Sequence, residues 1–190
     1  ELKMSIRRLI VNSLSEPEHI QLKLTPLPGS GVYDYRTIAS SADGMKLFAA
    51  AFGGRNLGKS LDGGTTWSPI TAPSGQGQGI ACSADGTKLL YNSNVGMYRS
   101  IDGGQTWVAL SAPSAGWVSA ASSADGTTLF ATYDGAGKIY ASYNSGSTWA
   151  ELPQCPDQVW FGIACSADGQ TVYAAAYGDY IHKSTDSGAT

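Results

Sequence analysis

An all-β fold of about four repeated four-stranded units is predicted by three observations. The first is an eight-residue phrase, S-x-D/N-x-G-x-T-W, at residues 60–67, 100–107 and 142–149, which begins again at 184–190. Its starts lie 40, 42 and 42 residues apart, the period at which self-similar sequence means stacked or radial supersecondary units. The second is a phrase in phase with it, S-A-D-G, beginning at Ser41, Ser83, Ser123 and Ser166. The third is composition: 24 glycines in 190 residues, with 14% charged and 10% aromatic residues, suits a turn-rich chain with little helix.

Each unit reads in a fixed order. Asp-Gly between two β-forming runs marks a hairpin, because the glycine accepts positive φ and the Asp side chain caps its own turn. The unit is therefore strand A, the SADG turn, strand B, a variable loop, strand C, the eight-residue box and strand D. Strand A carries small residues (Ile38-Ala39, Ile80-Ala81-Cys82, Ala120-Ala121, Ile163-Ala164-Cys165), as an inner strand near a crowded axis requires. Strand B carries bulkier pairs (Leu47-Phe48, Leu89-Leu90, Leu129-Phe130, Val172-Tyr173) suited to packing between sheets. Four short strands in 40 to 45 residues is the blade signature of a β-propeller. The blades fall at about 35–73, 75–113, 115–153 and 157–190, within one domain spanning 18–190. Residues 18–27 read as an outer strand without a box: aligning Pro28 with Pro73 and Pro113 puts Leu22 where Trp67 and Trp107 stand. That strand either completes the last blade, closing four blades, or leaves a partial propeller, a fragment or a ring shared between chains. Residues 1–17 match no repeat and form a tail or short helix.

The boxes resemble the Asp-box family, also called bacterial neuraminidase repeats, over roughly residues 20–190. The resemblance implies a structural hairpin between the third and fourth strands, with Ser and Asp bonding the turn and Trp packing between blades. Ser60, Asp62, Gly64, Thr66 and Trp67 would then be fold residues. So would Ser100, Asp102, Gly104, Thr106 and Trp107, then Ser142, Asn144, Gly146, Thr148 and Trp149, then Ser184, Asp186 and Gly188. Asn144 departs from the pattern but keeps an acceptor for the turn.

Function is expected where the repeats differ. The SADG and box turns share one face, and the loops joining D to A and B to C form the other, the usual place for binding residues on a rigid scaffold. Of eleven Asp, seven are locked into repeats; Asp34, Asp134, Asp157 and Asp179 fall in the variable loops. The position six before the SADG serine holds Tyr35, Gly77, Trp117 and Trp160. Aromatic faces beside carboxylates, amides and an arginine suit a sugar-binding surface, so the expected ligand-binding set is Tyr35, Arg55, Asn56, Trp117, Asp134, Asp157, Trp160 and Asp179. The competing expectation is that these aromatics cover the blade junctions.

Three function classes follow: a noncatalytic recognition module, lectin-like or protein-binding; an Asp-box glycoside hydrolase, sialidase-like or xyloglucan-degrading; and an assembly scaffold. The recognition module is preferred, with a glycan or protein ligand and an extracellular or cell-surface location. A sialidase would need an arginine cluster and a Tyr–Glu pair, yet only five arginines occur and Glu151 is the sole Glu beyond residue 18. No catalytic residue, cofactor or metal is expected: the three cysteines lack metal-type spacing, and His182 replaces Tyr98 and Tyr140 of other repeats. Cys82 and Cys165 share a strand A position; a Cys155–Cys165 bridge is one expectation and free thiols the other. A net charge of −3 gives no basic footprint for nucleic acid, and no apolar run approaches a membrane span. Self-association, or continuation into a longer chain, is the remaining partner expectation.

Overall fold

The computed structural model describes residues 26–27, 30, 33–52, 56–71, 73–112, 116–133 and 137–190. These form four antiparallel sheets in chain order, the blades of an all-β propeller arc. Blade one holds β1 (Tyr35–Ser40), β2 (Leu47–Ala51), β3 (Asn56–Ser60) and β4 (Ser68–Thr71). Blade two holds β5 (Gly77–Cys82), β6 (Leu89–Ser93), β7 (Gly96–Ser100) and β8 (Val108–Ala109). Blade three holds β9 (Trp117–Ser122), β10 (Leu129–Tyr133), β11 (Ile139–Ser142) and β12 (Ala150–Glu151). Blade four has three strands, β13 (Trp160–Cys165), β14 (Val172–Ala176) and β15 (Ile181–Ser184). The inner strands β1, β5, β9 and β13 pack side by side in that order. The region 18–27 lies almost wholly outside the described residues.

Both recurrent turns are closed by their own side chains. In the first SADG turn Ser41 Oγ accepts the Lys46 N–H at 2.9 Å and donates to Asp43 Oδ1 at 2.6 Å, while Asp43 accepts the Met45 N–H. In the first box Ser60 Oγ accepts the Gly64 N–H at 2.8 Å and donates to Asp62 Oδ1, whose carboxylate accepts the N–H and hydroxyl of Thr66. The same serine-to-glycine bond, 2.8 to 2.9 Å, recurs at Ser100–Gly104, Ser142–Gly146 and Ser184–Gly188. In the third box Asn144 Oδ1 accepts the Thr148 N–H at 2.9 Å and Nδ2 donates to the Thr148 hydroxyl, so the hydroxyl changes from donor to acceptor.

The box glycine has a second duty, between blades. A Cβ on Gly104 would stand 3.0 Å from Ile70 Cδ1 of the preceding blade, and one on Gly146 would stand 3.0 Å from Leu110 Cδ1. At Gly188 the distance to Leu152 is 2.7 Å. With φ near +84° to +91° as well, the position admits only glycine. In blade one the same seat at Gly64 is taken by Leu27, at 3.0 Å. Leu27 is thus the counterpart of Leu152, each followed by proline in the sequence; this corrects by two residues the alignment of Pro28 with Pro73 and Pro113, where the outer-strand aliphatic stands three before the proline.

Polar stitches run along the arc. Ala42 N–H donates to Ala84 O (2.8 Å), Ala84 to Ala124 (2.7 Å) and Ala124 to Ala167 (2.7 Å), linking successive SADG turns. Lys46 and Lys88 reach the carbonyls of Asp85 and Asp125 in the next blade, both at 2.7 Å. Between these stitches lie apolar clusters shared by neighbouring blades, such as Phe48, Leu57 and Ile70 with Ile80, Leu89 and Tyr91. Trp107 packs on that cluster, and Trp149 packs on the equivalent one between blades two and three.

One aromatic ring per blade fills a common slot, and it need not come from the same strand. Trp117 lies against Tyr140 and Trp149, and in blade two Tyr91 lies against the equivalent Tyr98 and Trp107. Tyr91 belongs to the second strand, where Ala49, Ala131 and Ala174 stand in the other blades. Its inner strand correspondingly has Gly77, whose Cβ would meet Tyr91 at 3.3 Å and Ala50 at 3.0 Å.

Among the described residues the two end blades lack the cover that the inner blades have. Ile181 is 73% exposed, whereas its equivalents Leu57, Met97 and Ile139 are 2%, 1% and 4% exposed. At the other end Ile38 is 61% exposed against 4% for Ile80. The described residues form an arc of four blades, and the expected closure by residues 18–27 lies almost wholly outside them. All three cysteines are free thiols, and burial raises Cys82 and Cys165 to about 11.

Hydrogen bonds to the turn carboxylates carry a pH dependence. Donation from Thr66 above all holds Asp62 at about 2, below the ordinary 3.8, and Thr106 does the same for Asp102. A carboxyl depressed in the folded state stabilises it above the unfolded pKa, and that contribution disappears as pH falls from about 4 to about 2. Stability measured by urea midpoints should fall through this window, and Asp62→Asn with Asp102→Asn should flatten the decline. An unchanged slope would mean that the turn carboxylates do not couple to folding.

Candidate functional site

The inner strands break their regular pairing at one equivalent point in every blade. Tyr35 pairs with Ala51 but Thr37 with Ala50; Gly77 pairs with Ser93 but Gly79 with Asn92. Trp117 and Ser119, then Trp160 and Gly162, repeat the shift against Tyr133 and Thr132, then Ala176 and Ala175. Each is a β-bulge, which leaves one residue unpaired and re-aims its side chain. The four bulged residues are Arg36, Gln78, Val118 and Phe161, and all four line one groove of about 600 Å³ near the inner ends of the blades.

Side chains from the adjoining loops complete the wall. Gln76, Asn94 and Phe52 line the same groove, with Asn94 Oδ1 accepting the Gln76 N–H at 2.7 Å. The Arg36 guanidinium lies 3.8 Å above the Phe52 ring, and Asp34 pairs with it at 3.7 Å from beside the groove. Phe161 is 55% exposed and meets Tyr177 edge to face at 6.2 Å. Behind this wall the bulge of blade three is pinned: Ser119 N–H donates to Thr132 Oγ1, and Asn92 Nδ2 donates to the Ser119 carbonyl. Asn92 Oδ1 is buried without a partner among the described residues.

The expected ligand-binding set is dispersed by the structure. Trp117 and Trp160 are each 1% exposed; Trp117 is part of the groove's wall but presents no open ring face there, and Trp160 is not among the lining residues. They pack in the blade junctions, Trp117 against Leu90 and Met97, Trp160 against Ile139 and Leu152, with Trp160 Nε1 donating to Gly137 O at 3.1 Å. Tyr35 is half-buried in the same slot and donates its hydroxyl to Ser30 O at 2.6 Å; burial raises its pKa. The reason is strand parity: position −6 from the SADG serine faces the junction, and the bulge presents position −5 to the groove.

Asp157 and Asp179 are not among the residues that line the groove. Asp157 and Glu151 both pair with Lys138, at 2.8 and 3.1 Å. Asp179 accepts the Tyr180 N–H at 2.7 Å and faces His182 Nε2 at 3.2 Å, and these bonds lower its pKa. Asn56 lies in β3, while Arg55 and Asp134 fall outside the described residues.

Chemically the groove offers amides, a guanidinium and two phenyl rings, groups that bind hydroxyls and stack on apolar C–H faces. No carboxylate is among its described lining residues, and glycosidic cleavage normally needs a pair of them. Nor do the described residues include a cluster of three His, Cys, Asp or Glu suited to a metal ion. A smaller cavity of about 130 Å³ lies between blades three and four, lined by Ile139, Leu152, Trp160, Val172, Ala174 and His182. Its walls are the positions that surround Trp107 and Trp149 in the other junctions, which makes it a packing slot.

No family model matches the sequence, and no curated protein does. Solved structures do. A GH74 enzyme of Niastella koreensis superposes with a TM-score of 0.66 at 25% identity, over 82% of this chain and 23% of that one. An ancestral GH74 enzyme gives 0.65 at 15% identity, covering 86% and 24%, and a GH74 xyloglucanase of Xanthomonas campestris gives 0.62 at 17%, covering 91% and 25%. The chain thus has the β-propeller fold of these glycoside hydrolases and spans about a quarter of their length.

Burial of the two tryptophans has a measurable consequence. Trp117→Ala or Trp160→Ala should each cost about 3–5 kcal/mol of unfolding free energy, as truncation of a buried aromatic does. Denaturant titration reads this directly, and a loss below about 1 kcal/mol would remove them from the core.

Proposed function

We propose that the chain is a noncatalytic carbohydrate-recognition module whose groove takes a glycan chain. The observation that carries this reading is the four equivalent bulges, which send Arg36, Gln78, Val118 and Phe161 into one groove with Gln76, Asn94 and Phe52 and no lining carboxylate. Amide and guanidinium donors pair with hydroxyls, and the exposed Phe161 ring stacks on a sugar face, so recognition proceeds by shape and hydrogen bonding without a reaction. An extracellular or cell-surface setting accords with a polysaccharide ligand. Xyloglucan is the first ligand to try, because one of the structures with this fold is a xyloglucanase.

The second reading, a piece of a glycoside hydrolase propeller, is favoured by the likeness to GH74 enzymes. Calorimetry with xyloglucan oligosaccharides, beside a panel of other β-glucans, together with a reducing-end assay, separates the two. Recognition predicts saturable binding without release of reducing ends. Phe161→Ala and Gln78→Ala should each weaken binding about tenfold, or roughly 1.4 kcal/mol, with thermal stability unchanged because both side chains line an open groove. Absence of binding across the panel would overturn the recognition reading, and release of reducing ends would replace it with the hydrolase.

A further inference from the structure

A recurring backbone bond sets a second side chain beside the bulged one. The first residue after the second strand donates its N–H to the carbonyl two residues before the bulge: Phe52 to Asp34 (2.8 Å), Asn94 to Gln76 (3.2 Å) and Tyr177 to Val159 (2.8 Å). In blade one this places Phe52 under the Arg36 guanidinium, and in blade four it places Tyr177 edge to face with Phe161. Gln78 and Asn94 hold the equivalent places in blade two. In blade three the bulged residue is Val118, and the counterpart of Phe52 lies outside the described residues. The groove therefore changes chemistry from blade to blade: a cation on a ring, then amides, then an aliphatic side chain, then an aromatic pair.

Arg36 is the only charged side chain among the described lining residues. Stacking on Phe52 at 3.8 Å fixes the plane of its guanidinium and directs the N–H donors outward along the edge. Asp34 approaches one nitrogen at 3.7 Å, longer than a hydrogen bond, and both side chains stand open to solvent, so the pair is weak. Arg99 is the contrast, since it donates to Ser145 O of the next blade at 2.6 Å and serves the fold. The whole chain carries a net charge of −3, so no long-range field draws anions in. Any attraction for an anion is local to Arg36.

We propose that the groove prefers acidic glycans, with the carboxylate of a uronic acid on Arg36 at the blade-one end and a neutral sugar face against Phe161 at the blade-four end. This rests on the glycan reading of the groove and narrows it to chains in which a carboxylate replaces an exocyclic hydroxymethyl group. The planar fork of a guanidinium meets both oxygens of a carboxylate at once, with charge-assisted bonds; a neutral hydroxymethyl group offers it a single oxygen. No carboxylate among the described lining residues repels such a ligand, and Gln76, Gln78 and Asn94 remain for the hydroxyls of the sugars between the two ends.

Calorimetry with cello-oligosaccharides, and with the same chains oxidised to glucuronate, isolates the carboxylate on one backbone. The oxidised chain should bind the wild-type protein at least about tenfold more tightly than the neutral one. Arg36→Gln should erase that preference while still binding the neutral chain, which also shows that the variant is folded. Asp34→Asn removes the rival carboxylate and should widen the preference. Equal or weaker binding of the oxidised chain by the wild type, a preference that survives Arg36→Gln, or one that narrows in Asp34→Asn would overturn the acidic-glycan assignment and leave the glycan reading standing on the neutral chain. Binding of neither chain, with the wider glucan panel also blank, would overturn both.

Discussion

The bond from each box glycine N–H to its serine hydroxyl is the constraint on which the rest of this arc depends. It holds a four-residue loop in a conformation with positive φ, which selects glycine, and the bare Cα then becomes the seat for the preceding blade's outer aliphatic. A hairpin closed by its own side chains, and tied through its backbone to the SADG turn of the same blade, thus defines the contact surface between blades. Asn144 shows which part of the device is essential: an amide oxygen still accepts the Thr148 N–H, so the geometry persists without the negative charge. What the carboxylate adds is charge-assisted hydrogen bonding, and with it sensitivity to acid.

Packing between blades follows a volume rule more than a sequence rule. The junction slot needs one large ring, and the backbone does not specify which strand delivers it. Tyr91 over Gly77 and Trp117 over Ala131 are two solutions to one space, which is how close-packed interiors tolerate exchange when total volume is kept. Repeats that diverge in sequence can therefore remain superposable, and likeness in structure to GH74 propellers survives at 15 to 25% identity.

The groove arises from the opposite behaviour, a local break in regularity kept in all four blades. A bulge on each inner strand sends one side chain out of the alternation, and those four side chains differ where the strands around them are alike. The loops were the place to look for variation, and Phe52, Gln76 and Asn94 do lie there. Half of the site, however, sits within strands, where alternation alone places Arg36, Gln78 and Phe161 on a blade face. The only signal in the sequence was the unlike residues at position −5 among otherwise matching inner strands.

The sequence by itself determined the all-β class, the four repeated units and the turn chemistry, because each depends on contacts between residues a few positions apart and recurs with a period that can be counted. Ser60, Asp62 and Gly64 meet within one hairpin, so their spacing was enough. Only the tertiary structure decided that Trp117 and Trp160 are core and that the groove is built on bulges. Each of these rests on contacts between residues some 40 positions apart or on a one-residue change of strand register, and side-chain type alone carries neither.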